Sequence, residues 1–136
     1  MLSQRQLISE TITTVLSAVL RGKTSGLYGM KSLSIEANFV YGSSGTNLKV
    51  WIQTSLDGGS NWIDIANFAF TTSSGRKVTT LDIDATATVV VPTDGSLADN
   101  AIVDGILGDM IRAKLTTTGT YAGDTTLNVN FVPKGA

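Results

Sequence analysis

Asp57 and Asp64 lie on either side of a Gly-Gly turn and are the first pair of side chains in this sequence whose type and spacing invite a chemical reading. Two carboxylates fixed across a cleft are what glycoside hydrolysis needs, one as acid and one as base or nucleophile. Asp94, Asp99, Asp104 and Asp109 form a second acidic series in loop-like sequence, a possible set of oxygen donors for calcium. Their spacing of five does not match an EF-hand loop, whose ligands alternate and end in Glu. The chain has no His and no Cys. That removes the commonest general base, the commonest zinc ligand and every Ser-His or Cys-His nucleophile. The expectation is therefore no catalytic, cofactor-binding or metal-ligating residues, and no enzyme.

Ser55-Leu56-Asp57-Gly58-Gly59-Ser60-Asn61-Trp62 fits the spacing Ser-x-Asp-x-Gly-x-x-Trp between two strand-like runs. Asp57 can turn its carboxylate onto backbone N–H groups, Gly58 and Gly59 can take positive φ, and Trp62 can fold over the turn. This spacing resembles the Asp-box, a hairpin of sialidases and of many secreted or virion β proteins. A sialidase propeller takes about 40–45 residues per blade. At 136 residues and one full motif, this chain is too short for one. The turn is read as structural, its polar atoms being spent on itself.

The elements that must position this turn are short strands between Gly, Ser, Asp and Asn clusters. Leu33, Ile35, Ala37, Phe39 and Tyr41 alternate with Ser34, Glu36 and Asn38. After Gly42–Gly45, Leu48, Val50 and Ile52 share one face, with Lys49, Trp51 and Gln53 on the other. These two strands and the one after the turn are expected to form an antiparallel meander. Beyond the turn the phase slips between Ile63, Ile65 and Ala66, Phe68, Phe70, which predicts a β-bulge near Ile65 and Ala66. Lys77 to Ile83 is a weaker strand, and Thr86 to Val91 reads as a strand buried on both faces. Ala98 to Gly108 is expected to be a loop with at most one helical turn. The last strands are Met110 to Thr117 and Thr125 to Phe131.

The segment 1–31 differs from the body. It holds Arg5, Arg21, Lys23 and Lys31 against Glu10, a net +3, whereas the rest carries six basic and ten acidic residues, a net −4. No Lys or Arg interrupts the six Asp residues between Asp82 and Asp109. Ser9, Glu10, Thr11, Thr13, Thr14 and Ser17 interrupt Leu7 to Leu20, so neither a signal h-region nor a membrane span of about 18 residues is expected. Seven of the twelve residues from Ile8 to Val19 are β-branched, which favours an extended arm or strand over a helix. The expected division is an N-terminal arm or first strand over 1–31 and a β-sandwich over 32–136. The fold class is all-β, an antiparallel two-sheet β-sandwich of jelly-roll type with about eight strands. A net charge of −1 gives no general attraction to nucleic acid or to an anionic membrane, so neither partner is expected.

The runs Ala37–Gly42, Ile52–Gly59 and Trp62–Ala66 resemble small structural proteins of tailed bacteriophages and prophages, as do Pro92–Asn100, Asp104–Asp109 and Leu115–Gly123. Most of the chain after residue 33 shares the resemblance. It implies a virion component assembled in the host cytoplasm: a capsid decoration protein on the major capsid protein, or a head–tail neck or tail component. A carbohydrate-binding module on the virion is the alternative from another class, because Trp51 lies on the wet parity of its strand beside Lys49 and Gln53 and Tyr28, Tyr41 and Tyr121 offer further rings. Arg5, Arg21, Lys23, Lys31 and Trp51 are the candidate subunit-interface residues. A homo-oligomer is expected, a trimer by preference, since closure protects sheet edges.

Overall fold

The computed structural model describes residues 4–85 and 88–135. Its elements are β1 (Arg5–Thr11), β2 (Val19–Thr24), β3 (Met30–Val40), β4 (Ser43–Ser44), β5 (Asn47–Ser55), β6 (Ile63–Phe70), β7 (Gly75–Asp82), β8 (Met110–Thr118), β9 (Tyr121–Ala122) and β10 (Thr126–Gly135). No helix occurs among the described residues. One four-stranded sheet has the order β1-β10-β3-β7, the other β2-β8-β5-β6, and β4 pairs with β9. All ladders are antiparallel.

Setting aside the two-residue strands β4 and β9, eight long strands remain. The ladders then join first to last, second to seventh, third to sixth and fourth to fifth, and successive pairs fall in opposite sheets. This is an antiparallel ribbon closed at the β5–β6 hairpin and rolled into two sheets, the jelly roll that the sequence leads one to expect. The Asp-box-like turn caps the closed end of that ribbon.

The alternating rows pack between the sheets. Leu33, Ile35, Ala37 and Phe39 meet Leu48, Val50, Ile52, Ile111, Ala113, Leu115, Leu127, Val129 and Phe131 in one core. Phe39 stacks on Phe70 at 5.1 Å, and Tyr121 meets it edge-on at 5.6 Å. The Tyr121 hydroxyl donates to the Thr71 carbonyl at 2.7 Å, so this buried phenol is satisfied. The phase slip in β6 is a bulge: Ile52 opposes Ala66 and Gln53 opposes Asp64, leaving Ile65 as the extra residue.

Three expectations need correction. β3 and β5 are not meander neighbours, because the chain crosses from one sheet to the other through Gly42–Thr46, where the Gly42 N–H donates to Thr125 Oγ1 at 2.9 Å. Alternation specifies which face of a strand is buried, and both arrangements bury the same face. Of the expected strand Thr86 to Val91, Thr86 and Ala87 lie outside the described residues, and Val89 and Val91 are 99% and 87% exposed. That run joins neither sheet of its own chain. Ala98 to Gly108 is a loop, as expected, and it lies along the edge of β6, with Asn67 N–H to Ala101 O and Val103 N–H to Ile65 O both at 2.9 Å. Finally, the fold has no boundary at residue 31: β1 is an edge strand on β10 and β2 an edge strand on β8. Leu7, Ile8 and Ile12 are buried. A register shift at Leu7 puts two successive residues inward, which is why the segment shows no clean alternation.

Candidate functional site

The turn at the tip of the β5–β6 hairpin is built from its own side chains. Ser55 Oγ accepts from the Gly59 N–H at 2.8 Å and donates to Asp57 Oδ1 at 2.9 Å. Asp57 Oδ1 accepts from the Asn61 N–H at 2.9 Å and Oδ2 from the Asn61 amide at 2.7 Å. Gly58 and Gly59 have φ of 72° and 97°, values that favour glycine. Trp62 folds back and donates Nε1–H to the Gly59 carbonyl at 3.1 Å. The Asn61 amide, the Asn61 N–H and the Ser55 hydroxyl hold the Asp57 carboxyl below its ordinary value.

A second polar constellation lies on the outer face of the β5–β6–β8 sheet. The bulge in β6 and the register Gln53↔Asp64 set these two side chains beside each other. Asp64 is 1% exposed. Its carboxylate accepts from the successive N–H groups of Gly95 (2.7 Å to Oδ2), Ser96 (3.0 Å) and Leu97 (3.1 Å), and from the Thr93 hydroxyl and the Gln53 amide, both at 2.8 Å. Convergent backbone N–H groups make an anion cradle, here filled by a carboxylate of the same chain.

The Gln53 amide is engaged on both sides. Its amide nitrogen donates to Asp64 and to Asp94 Oδ1 (2.6 Å), and its oxygen accepts from Arg112 Nε at 2.7 Å. The reversed amide would set its oxygen against two carboxylates, so the network fixes the orientation. The Arg112 guanidinium also lies 4.2 Å from the centre of the Trp62 ring, which links the loop clasp to the Asp-box-like turn. Burial acts to raise the Asp94 carboxyl, but the Lys114 ammonium at 2.6 Å, the Gln53 amide and the Arg112 charge outweigh it and lower it. Burial lowers the Arg112 guanidinium, with the charges of Asp94 and Asp64 acting against that.

Arg21 Nε pairs with Glu10 Oε1 at 2.8 Å, tying β2 to β1 across the two sheets, whereas Arg5, Lys23 and Lys31 are exposed. Trp51 is corrected: it is 7% exposed, covered by the loop that Asp64 clasps, and its indole N–H donates to the Leu97 carbonyl at 2.9 Å. It offers no ring to a subunit or a glycan. Within the acidic run Asp94 pairs with Lys114 at 2.6 Å and Asp99 with Lys49 at 3.1 Å, while Asp104 accepts the Asp82 N–H at 2.7 Å.

Asp57 and Asp64 each serve backbone donors and face no shared cleft. The role of Asp64 was missed by sequence reasoning; the available signal was a charged residue between Ile63 and Ile65, on the same parity as Gln53 across the hairpin. Among the described residues, no group of three or more His, Cys, Asp or Glu side chains is placed to hold a metal ion. No buried side-chain polar atom among them lacks a hydrogen-bond partner.

Neither a protein-family model nor a curated protein sequence matches the chain. Among solved structures, one titled "CBM4 structure and function" aligns over 93% of this chain and 70% of that one, with a TM-score of 0.46 and 11% identity.

Proposed function

We propose that this chain is a non-enzymatic structural protein of a tailed-bacteriophage virion, docking on the assembled shell as a decoration protein with the major capsid protein as its partner. The observation that carries the reading is where the polar chemistry goes. Asp57, Asp64, Gln53, Arg112, Trp51 and Trp62 are all committed to turns and loops of the chain itself, whereas the apolar side chains at one end of the sandwich are left in solvent. Tyr28 is 75% exposed, Leu56 64%, Val89 99% and Val91 87%.

The topology gathers these four at one end. Leu56 tops the β5–β6 hairpin, and Tyr28 lies in the turn from Leu27 to Met30, anchored by the Leu27 N–H on the Asp109 carbonyl just before β8. Val89 and Val91 lie in the crossing from the end of β7 to Thr93, which meets Asp64 at the start of β6. Exposed apolar loop tips around a rigid barrel end suit burial against another protein. Docking then stabilises the assembled particle by mass action, with no reaction required. The carbohydrate-module alternative loses its best platform, because Trp51 is under the loop.

Quantitative mass spectrometry of purified particles tests this. Copies in the hundreds are expected for a decoration protein, and about a dozen or fewer assign it to the neck or tail. Absence of the chain from particles made by the same genome overturns the reading.

A further inference from the structure

β7 is an open sheet edge whose geometry asks for another strand. It pairs with β3 alone. The Ile83 N–H donates to the Lys31 carbonyl at 3.0 Å, continuing the register in which Asp82 opposes Ser32. Hydrogen-bonded and open pairs alternate along an antiparallel ladder, so Gly75, Lys77, Thr79 and Leu81 direct their backbone groups at β3, and Arg76, Val78, Thr80 and Asp82 direct theirs away. Accordingly, the outward Asp82 N–H finds the Asp104 carboxylate at 2.7 Å. Among the described residues, the outward backbone groups of Arg76, Val78 and Thr80 have no partner. The edge of β6, by contrast, is covered by Ala101–Val103. A groove of about 470 Å³ lies beside β7, lined by Phe68, Val78 and Ile102, the last two 63% and 44% exposed, with Lys77 and Asn100, hydrogen-bonded at 2.9 Å, also in its lining.

Thr88–Val91 is the complementary feature. Its β-branched residues have the highest strand preference, yet it belongs to no ladder, and Val89 and Val91 share one parity at almost full exposure. Four residues at about 3.3 Å each span roughly 13 Å, enough to lie along most of the five residues Arg76–Thr80. We propose that Thr88–Val91 of one copy adds as a strand to the Arg76–Thr80 edge of a second copy, setting Val89 and Val91 into the groove against Phe68 and Ile102. Main-chain bonds supply affinity and alternate side chains supply register. Donor and acceptor are different surfaces, so the contact is heterologous and propagates head to tail until a ring closes. In copies joined this way Val89 and Val91 serve the contact between copies, and Tyr28 and Leu56 are the exposed apolar tips left for docking on a particle.

Sedimentation velocity of the full chain tests it with two variants. Val89→Asp/Val91→Asp spoils the donor. Val78→Pro removes an outward N–H from the acceptor while leaving the β3 ladder intact. The wild type is expected to sediment as a closed oligomer at micromolar concentration and each variant as a folded monomer by circular dichroism. A mixture of the two variants is expected to give a one-to-one heterodimer, since each retains the half the other has lost. A monomeric wild type, or an oligomer indifferent to both variants, overturns the proposal. So does a mixture that yields no heterodimer.

Discussion

The carboxylate of Asp64 on β6 accepts the backbone N–H of Gly95 at 2.7 Å, and through this contact a loop some thirty residues away in sequence is fastened over the outer sheet face. The same carboxylate holds the next two N–H groups, so removing it strands three donors at once beneath the loop. Asp64→Ala is expected to cost about 2–4 kcal/mol, since a buried donor left without its acceptor costs about 1–3 kcal/mol and part of the loss is recovered if the loop lifts into water. Denaturant unfolding gives the magnitude. In a Trp62→Phe background the emission of Trp51 should shift to the red as its cover opens. Unchanged emission together with unchanged stability would show that the clasp is dispensable.

Gly95→Ala tests the shape of the cradle separately from its charge. Gly95 has φ of 91°, and a Cβ there would approach the Lys114 Cδ to 2.9 Å. The lysine is flexible, so backbone strain dominates, and a loss of about 1–3 kcal/mol is expected. Adding Lys114→Ala should recover little of it. Full recovery in the double variant would assign the cost to the side-chain clash.

Acid should weaken the hairpin before it weakens the core. The folded-state carboxyls of Asp57 and Asp94 both lie below their ordinary value of 3.8. A group depressed on folding contributes stability that is present above the unfolded value and is lost as pH falls through the folded one. Thermal stability should therefore be insensitive to these two groups between pH 7 and pH 5 and decline below about pH 4. Asp57→Asn should flatten that acid decline while lowering the melting temperature by several degrees at neutral pH. Parallel pH profiles for the two proteins would refute the assignment of Asp57.

Deleting residues 2–20 removes β1 and the buried Leu7, Ile8 and Ile12. Burying each such side chain contributes about 1.5–3 kcal/mol, so the three together approach the net stability of about 5–15 kcal/mol typical of a whole domain. The truncated protein is expected to be insoluble or to lose its cooperative melt. A soluble product with a sharp transition would show that β1 is an accessory strand. Arg21→Ala, which only frees Glu10 from a partly exposed pair, should change stability by at most about 1 kcal/mol.

What the sequence determined by itself was local. Period-two alternation in Leu33–Phe39 and Leu48–Ile52 set which side chains face the core, the broken phase at Ile65 marked the bulge, and Ser55-x-Asp57-x-Gly59 specified the hairpin turn. Each depends on neighbours within a few residues, which the chain carries whatever the tertiary fold. Which strands pair was decided only by the tertiary structure: β3 and β5 lie in different sheets, and β1 and β2 divide between them. Alternation names a buried face but not a partner. Trp51 sits on a wet parity, yet a loop some forty residues downstream covers it. Thr88–Val91 has the composition of a buried strand, yet it joins neither sheet of its own chain and stands in solvent. Burial is a property of the whole packing, and no local pattern encodes whether a place in the ladder is already taken.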